Sequence, residues 1–173
     1  MFLSNALLEL ETFAARTRIP VVTTMMGLSL LPSDHPLNMG MIGTHGNACA
    51  NKALAKSDLL IMIGTRAADR AIFSPQEIQR RMPSIHIDVD PEIGKNIQTE
   101  IPLVGNVRVI LQQLLERDLT THCAPWLAQL RERRAQELDR EYPVREGSVS
   151  PGRLLRLLGQ RLRPNAAICV DVG

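Results

Sequence analysis

The sequence is poor in aromatic residues, which make up 3% of its 173 residues and include one tryptophan and one tyrosine. So few aromatic side chains argue against a stacking surface for nucleic-acid bases. An excess of one charge is also lacking, because 20 basic and 18 acidic residues leave a formal net charge of +2. That balance indicates neither a nucleic-acid nor an anionic-membrane partner. No apolar run approaches the roughly 20 residues of a membrane-spanning helix.

Cysteine is scarce as well. Cys49, Cys123 and Cys169 are odd in number and far apart, a pattern that fits neither a disulfide framework nor a zinc site. Reduced thiols are typical of a cytoplasmic protein. The first ten residues have neither the basic start nor the cleavage site of a secretory leader. We therefore expect a cytoplasmic protein.

The sequence does contain an alternation of helical and extended patterns. β-branched or apolar runs predict strands at 19–24, 58–64, 84–90, 103–104 and 166–173, with a long loop at 25–45. Apolar periodicity predicts helices at 5–16, 46–56, 106–117, 125–140 and 150–162. The run at 58–64 is apolar throughout, as in a strand buried on both faces of a parallel sheet. The alternation predicts an α/β fold with a doubly wound, Rossmann-like parallel sheet and a C-terminal helical extension.

Three segments are predicted along the chain. Residues 1–117 are expected to form the α/β domain, without the strand that usually opens such a fold. Residues 118–149 hold a highly charged surface helix, whose charges are expected to be solvated, and a linker. Residues 150–173 start with Ser-Pro, a helix-opening pair, and resemble the start of a further domain. We expect the chain to be a fragment whose partners are the remaining domains of the same protein.

Ligands of an open α/β sheet bind at the carboxyl ends of its strands. Thr24 and Met25 lie at the end of the first predicted strand, where hydroxyls and a nearby glycine suit a phosphate or a flavin edge, or form a simple turn. Gly43, His45 and Gly46 precede a predicted helix, so their backbone N–H groups can face an anion. The alternative for this segment is an ordinary loop in which the histidine is packed.

The strongest local signal comes after the strand at 58–64. Gly64 permits close backbone approach, and Arg66 and Arg70 would share one face of a helical turn, where two guanidiniums suit a diphosphate. The alternative is a surface ion pair. Asp88 lies near the end of the next predicted strand and suits a ribose hydroxyl, or caps a turn. The GxGxxG, GxSxG and metal-ligand patterns are absent, so we predict a nucleotide-type cofactor site without catalytic residues.

Five blocks, in order, resemble the central domain of acetolactate synthase, a thiamine-diphosphate enzyme. They are Pro20-Val-Val-Thr-Thr-Met-Met-Gly27, Pro32-Ser-Asp-His-Pro-Leu37, Gly40-Met-Ile-Gly-Thr-His-Gly46, Ser57-Asp-Leu-Leu-Ile-Met-Ile-Gly-Thr-Arg66 and His86-Ile-Asp-Val-Asp-Pro-Glu-Ile-Gly-Lys-Asn96. The tail at 167–173 is similar to the first strand of that family's C-terminal domain.

The resemblance implies a homo-oligomeric enzyme of three α/β domains that condenses pyruvate with a second 2-oxoacid during branched-chain amino-acid biosynthesis. Thiamine diphosphate and Mg²⁺ would bind outside this chain, which would therefore be inactive alone, and FAD would bind in this domain in a structural role. The resemblance assigns the flavin side to Thr24 and Met25, other cofactor contacts to Gly43, His45 and Gly46, the diphosphate to Gly64 and Arg66 with Arg70 nearby, the ribose to Asp88, and the adenine end to Asn106.

Two departures from the family pattern concern the same site. The usual Arg-Phe-Asp-Asp-Arg is Arg-Ala-Ala-Asp-Arg at 66–70, and Gly-Asp becomes Gly-Asn at 105–106. The alternative function is therefore a flavin-free spacer or subunit-contact domain. The parent would then be another thiamine-diphosphate enzyme, of the sulfoacetaldehyde acetyltransferase, glyoxylate carboligase or 2-oxoacid decarboxylase type.

Overall fold

The structure, a computed structural model, describes residues 3–66, 75–94, 98–139, 146–163 and 165–168. In chain order the elements are α1 (Leu7–Thr17), β1 (Val21–Thr23), a 3₁₀ turn (Met25–Gly27), β2 (Asn38–Met41), α2 (Ala48–Lys56), β3 (Leu60–Ile63), α3 (Pro75–Arg81), β4 (Ser84–Asp88), β5 (Ile101–Val104), α4 (Val107–Leu115), α5 (Ala124–Leu138) and α6 (Pro151–Arg161). They belong to two compact units, Met1–Leu138 and Asp139–Gly173.

All strand pairs in the first unit are parallel among the described residues. β1 pairs with β2, and β3, β4 and β5 form a second sheet in that order. Helix α2 connects the first sheet to the second, and α3 connects β3 to β4. Parallel strands joined by helices confirm the predicted α/β class.

Strand β2 lies within the stretch 25–45 that the sequence predicted to be a loop, and that prediction is wrong here. Its sequence, Asn-Met-Gly-Met, has no β-branched residue, and β1 supplies its backbone pairing. The buried Asn38 amide donates to the carbonyls of Leu31 and Pro32, at 3.2 and 3.0 Å, and its Oδ1 accepts from the N–H of Gly40 at 2.9 Å. Side-chain hydrogen bonds to the preceding loop thus fix a strand that propensity does not favour.

Strand β3 was predicted to be buried on both faces, but it is only partly covered. Met62 is buried against Ile78 and Met82, whereas Ile61 and Ile63 pack against a different cluster and stay half-buried. The reason is its position, because β3 is the edge strand of its sheet among the described residues. Its alternating contacts place α3 on one face of this sheet and α1 with α4 on the other.

Two larger clusters form most of the core of the first unit. Leu10 and Phe13 of α1 pack with Ile87 of β4 and with Val107 and Leu111 of α4. The other cluster joins β2 to α2 and α5, and its members include Ala14, Met39, Cys49, Ala53, Leu127 and Leu130. Since α1 contributes to both clusters, it ties the two sheets together.

Helix α5 is only in part the surface helix that its charges predicted. Leu127 and Leu130 are buried, and the Arg134 side chain is just 13% exposed. Arg131 and Glu132 do face solvent. The helix is amphipathic, and its apolar side completes the core over α2 and β2.

The second unit has no buried residue in α6, although Leu154, Leu155 and Leu157 lie on it. The strand predicted at 166–173 is not present at 166–168, which are exposed, and its remaining residues lie outside the described part. A strand needs a partner strand, and the described residues of this unit contain none. None of the described helices is long and apolar enough to span a bilayer.

Candidate functional site

The carboxyl ends of β3, β4 and β5 bring three of the predicted site segments together. The N–H of Gly64 donates to the carbonyl of Ile87 at 2.8 Å, and the N–H of Gly105 donates to the carbonyl of Asp88 at 2.9 Å. Gly64 has a φ of +60°, a backbone conformation that favours glycine. Gly64, Asp88 and Asn106 therefore lie together at the carboxyl ends of the strands.

Arg66 extends from these strand ends into solvent, with a side chain that is 84% exposed. Its guanidinium lies 3.7 Å from the carboxylate of Asp90, which is 37% exposed. Asp88 is held in the same turn, since its Oδ1 accepts from the N–H of Asp90 at 3.1 Å. An ion pair this exposed contributes little to stability.

The turn after β3 is anchored by a buried histidine. The Nε2 of His86 lies 2.8 Å from the carbonyl oxygen of Thr65, which can only accept, so Nε2 donates. His86 is 6% exposed, and its position on β4 joins the end of β3 to its neighbour. His86 therefore has a structural role in this turn.

Asn106 immediately precedes α4 and caps its N-terminus. Its Oδ1 accepts from the N–H of Arg108 at 2.9 Å, which makes it the helix N-cap. The side-chain oxygen is therefore engaged, and the amide nitrogen is the atom of this side chain that can donate to a ligand.

Thr24 and Met25 lie at the carboxyl end of the other sheet. The N–H of Ile42 donates to the carbonyl of Thr23 at 2.9 Å, which brings the ends of β1 and β2 together. Thr24 is extended and half-buried, and it opens the 3₁₀ turn. Met25 and Met26 are 72% and 86% exposed, so an apolar surface stands at the end of β1.

The glycines of the loop after β2 are required by the loop itself. Gly43 has a φ of +108°, and its N–H and carbonyl both bond to the amide of Asn51, at 2.9 and 3.0 Å. The N–H of Gly46 donates to the carbonyl of Gly43, and a Cβ added at Gly46 would lie 2.3 Å from the backbone oxygen of Met41. His45 is exposed rather than packed.

The N-terminus of α2 binds a carboxylate of the same chain, that of Glu137. The two carboxylate oxygens of Glu137 accept from the N–H groups of Ala48 and Cys49, at 2.9 and 3.1 Å. The sequence indicated this helix start as the place where backbone N–H groups meet a ligand. In the structure, α5 supplies the acceptor for two of them.

Sequence reasoning missed Glu137 and Asn51 because neither stands in a recognisable motif. Their partners lie 89 and 8 residues away along the chain, and only the folded contacts bring them together.

Burial, followed by the nearby carboxylate of Glu137, raises the pKa of the Cys49 thiol. Cys49 is therefore a protonated core residue at neutral pH, and its Sγ lies 3.3 Å from the carbonyl oxygen of Leu130.

Arg70, the second arginine of the predicted diphosphate site, lies outside the described residues. Among the residues that the structure describes, no group of three or more His, Cys, Asp or Glu side chains could hold a metal ion. The candidate site thus consists of two sets of strand ends, at β1 and β2 and at β3 to β5.

Parallel strands, helices on both faces of a sheet and turns gathered at the carboxyl ends define a Rossmann-like α/β domain. The family model described as "Thiamine pyrophosphate enzyme, central domain" matches residues 2–114. The chain belongs to this family of central domains.

Several similar proteins carry the name acetolactate synthase. The large subunit of Corynebacterium glutamicum is 40% identical over 172 residues, which cover 95% of this chain and 27% of that protein. The large subunit of Lactococcus lactis is 32% identical over 165 residues, or 94% of this chain and 28% of its own length. A probable large subunit of Methanocaldococcus jannaschii is 44% identical over 116 residues, 66% of this chain and 20% of that protein. The chain thus spans about a quarter of the length of the relatives it matches.

Proposed function

We propose that this chain is part of an acetolactate synthase, a transferase that condenses pyruvate with a second 2-oxoacid on thiamine diphosphate. The observation that carries the proposal is the similarity to acetolactate synthase large subunits along 95% of the chain. Thiamine diphosphate and Mg²⁺ would be held by other domains of the longer cytoplasmic protein, in a homo-oligomer. This part supplies a cofactor site at its strand ends and no catalytic residue.

The group that this domain would hold is FAD, in a structural role. Its diphosphate needs positive charge, and among the described site residues Arg66 supplies it from an exposed position. Gly64 allows a close backbone approach beside it. The start of α2 contributes little to binding the diphosphate, because the carboxylate of Glu137 already accepts from the N–H groups of Ala48 and Cys49.

The remaining contacts divide between the two sheets. Thr24 and the exposed Met25 offer a hydroxyl and an apolar surface to the flavin ring, and the exposed His45 offers a ring nitrogen. Asp88 would accept from a ribose hydroxyl, and the amide nitrogen of Asn106 would donate at the adenine end. The residues fit FAD at one charged contact and several polar or apolar ones.

The second candidate function is a flavin-free spacer that positions the catalytic domains. It is favoured by the intramolecular use of the groups that a cofactor would need. Gly43, Gly46 and the first residues of α2 all donate to atoms of the chain, and Asn106 uses its oxygen as a helix cap.

FAD titration separates the two candidates. Quenching of flavin fluorescence by the purified chain is expected to saturate, and Arg66→Ala is expected to weaken binding about tenfold, the effect of losing a hydrogen bond to a charged group. Arg131→Ala, which removes an exposed arginine from α5, is the matched control and should bind FAD like the unsubstituted chain. Absence of saturable quenching, or equal loss in both variants, would favour the spacer.

A carboligase assay tests the absence of catalytic residues. With pyruvate, thiamine diphosphate and Mg²⁺, the 173-residue chain is expected to form no acetolactate. Measurable acetolactate from this chain alone would contradict the assignment of catalysis to other domains.

A further inference from the structure

A pocket of about 290 Å³ lies between α2 and α5, away from the strand ends. Its lining is Lys52, Lys56, Trp126, Gln129, Leu130 and Arg133. None of these residues belongs to the proposed flavin site. The volume is at the lower end of the range for small-molecule sites, which suits a ligand of a few heavy atoms.

The pocket follows from the way the two helices pack. Cys49 and Ala53 of α2 face Leu127 and Leu130 of α5 in the buried cluster, so the helices meet through small and aliphatic side chains. Residues four apart share one face of a helix. Lys52 and Lys56 therefore stand together along one wall, and Gln129 and Arg133 stand together along the other.

Charge in the pocket is of one sign. Three of the six lining residues are cationic, and none is acidic. Among the described residues, the side chains of Lys52, Lys56 and Arg133 form no ion pair and no hydrogen bond with the protein. The nearby carboxylate of Glu137 is already bound to the start of α2. Like charges repel one another, so an anion placed among them is favoured.

The floor of the pocket is apolar. Leu130 is 3% exposed, and the half-buried Trp126 packs against the same buried cluster. A bare inorganic anion would leave this surface uncovered. A ligand with an anionic head and a short hydrocarbon body would satisfy both parts of the lining.

We propose that the groove between α2 and α5 is a second ligand site, which binds a small organic carboxylate. The carboxylate lies among Lys52, Lys56 and Arg133, and the hydrocarbon body lies on Leu130 and Trp126. This site is independent of the proposed flavin site and of the activity of the longer protein. It gives the domain a place for a small-molecule anion away from the strand ends.

Trp126 makes the test direct, because it is the only tryptophan in the chain and its fluorescence reports on the pocket. Hexanoate is the probe, and hexanamide is the neutral control of nearly the same shape. Hexanoate at millimolar concentrations is expected to give a saturable change that weakens with added salt, while hexanamide gives none. Equal responses to the two compounds would overturn the proposal, because the pocket would then recognise only the hydrocarbon.

Variants locate the site. Arg133→Met and Lys56→Met are each expected to weaken hexanoate binding about tenfold, as for loss of a charged hydrogen bond. Arg131→Met removes the same charge from an exposed position of α5 outside the lining and should leave the affinity unchanged. Urea unfolding of each variant shows whether its fold is intact. No saturable response to hexanoate, or equal weakening by Arg131→Met, would refute a carboxylate site, as would binding of a tetraglutamate peptide without any response to hexanoate.

Discussion

Glu137 and Ala48 are 89 residues apart, yet a hydrogen bond of 2.9 Å joins the carboxylate of one to the N–H of the other. The second carboxylate oxygen binds the next N–H, that of Cys49. The last turn of α5 is thereby attached to the first turn of α2. Together with the packing of Leu127 and Leu130, this contact holds α5 in the first compact unit, which extends to Leu138.

Glu137→Gln is expected to lower the free energy of unfolding by about 1 kcal/mol, the usual contribution of a helix cap or of a charge at a helix N-terminus. Urea denaturation measures this change. Glu132→Gln removes a carboxylate from the exposed side of the same helix and should alter stability by less than about 0.5 kcal/mol. Equal effects of the two substitutions would show that the contact with α2 contributes nothing.

The core between α1 and α4 predicts a large cost for truncating Leu111, which is fully buried. Leu111→Ala should lower the free energy of unfolding by about 2–5 kcal/mol, through lost burial and a residual cavity. Val109→Ala is the comparison on the same helix, because Val109 is 49% exposed and its loss should cost much less. Similar unfolding midpoints for both variants would contradict the burial of Leu111 between α1 and α4.

The contact between Glu9 and Arg108 makes stability depend on pH. The Arg108 Nε donates to the Glu9 carboxylate at 2.8 Å and, with Gln112, lowers the pKa of Glu9 below its ordinary 4.5. As pH falls, the unfolded state binds the proton first, so this contribution is complete above 4.5 and is lost through the lowered pKa.

Glu9→Gln should therefore flatten the loss of stability between neutral pH and about pH 3, measured by urea unfolding across that interval. Glu11→Gln, at an exposed position of α1, serves as the control, and its free energy of unfolding should change with pH as in the unsubstituted chain. An unchanged slope in Glu9→Gln would mean that other carboxylates cause the acid sensitivity.

Two glycines should respond oppositely to alanine. Gly46→Ala places a methyl group 2.3 Å from the backbone oxygen of Met41, and the loop must shift at a cost of about 1–3 kcal/mol. Gly159 lies in α6 with open space where a Cβ would stand, so Gly159→Ala should stabilise the helix by up to about 1 kcal/mol. Thermal unfolding and far-ultraviolet circular dichroism distinguish the two. Unchanged stability in Gly46→Ala would mean that the loop has room for a methyl group beside the backbone of Met41.

Local patterns predicted the elements that have a strong local signal. Apolar periodicity from Val107 to Leu115 predicted α4, which begins after the N-cap Asn106. The apolar runs of β3 and β4 also predicted strands at the right places. These elements carry their own pattern of burial, which is why one sequence is enough to find them.

Elements that depend on distant contacts were not predictable in this way. β2 has no strand propensity and is formed by pairing with β1 and by the bonds of Asn38. The burial of β3 depends on which strands flank it. The strand predicted at 166–173 is absent at 166–168, where the described residues of its unit offer no neighbour to pair with. For the site, local motifs predicted the strand ends but not the use that Glu137 and Asn51 make of the nearby N–H groups.

The proposal that the strand ends of this domain hold FAD is tested most directly by amide hydrogen exchange with and without FAD. Slower exchange is predicted at residues 24–27, 43–46, 64–66, 88–90 and 105–106, with no change along the groove between α2 and α5. The same experiment on Arg66→Ala should show the protection only at higher FAD concentration. Protection confined to other segments, or none at saturating FAD, would contradict the claim and leave the domain as a spacer.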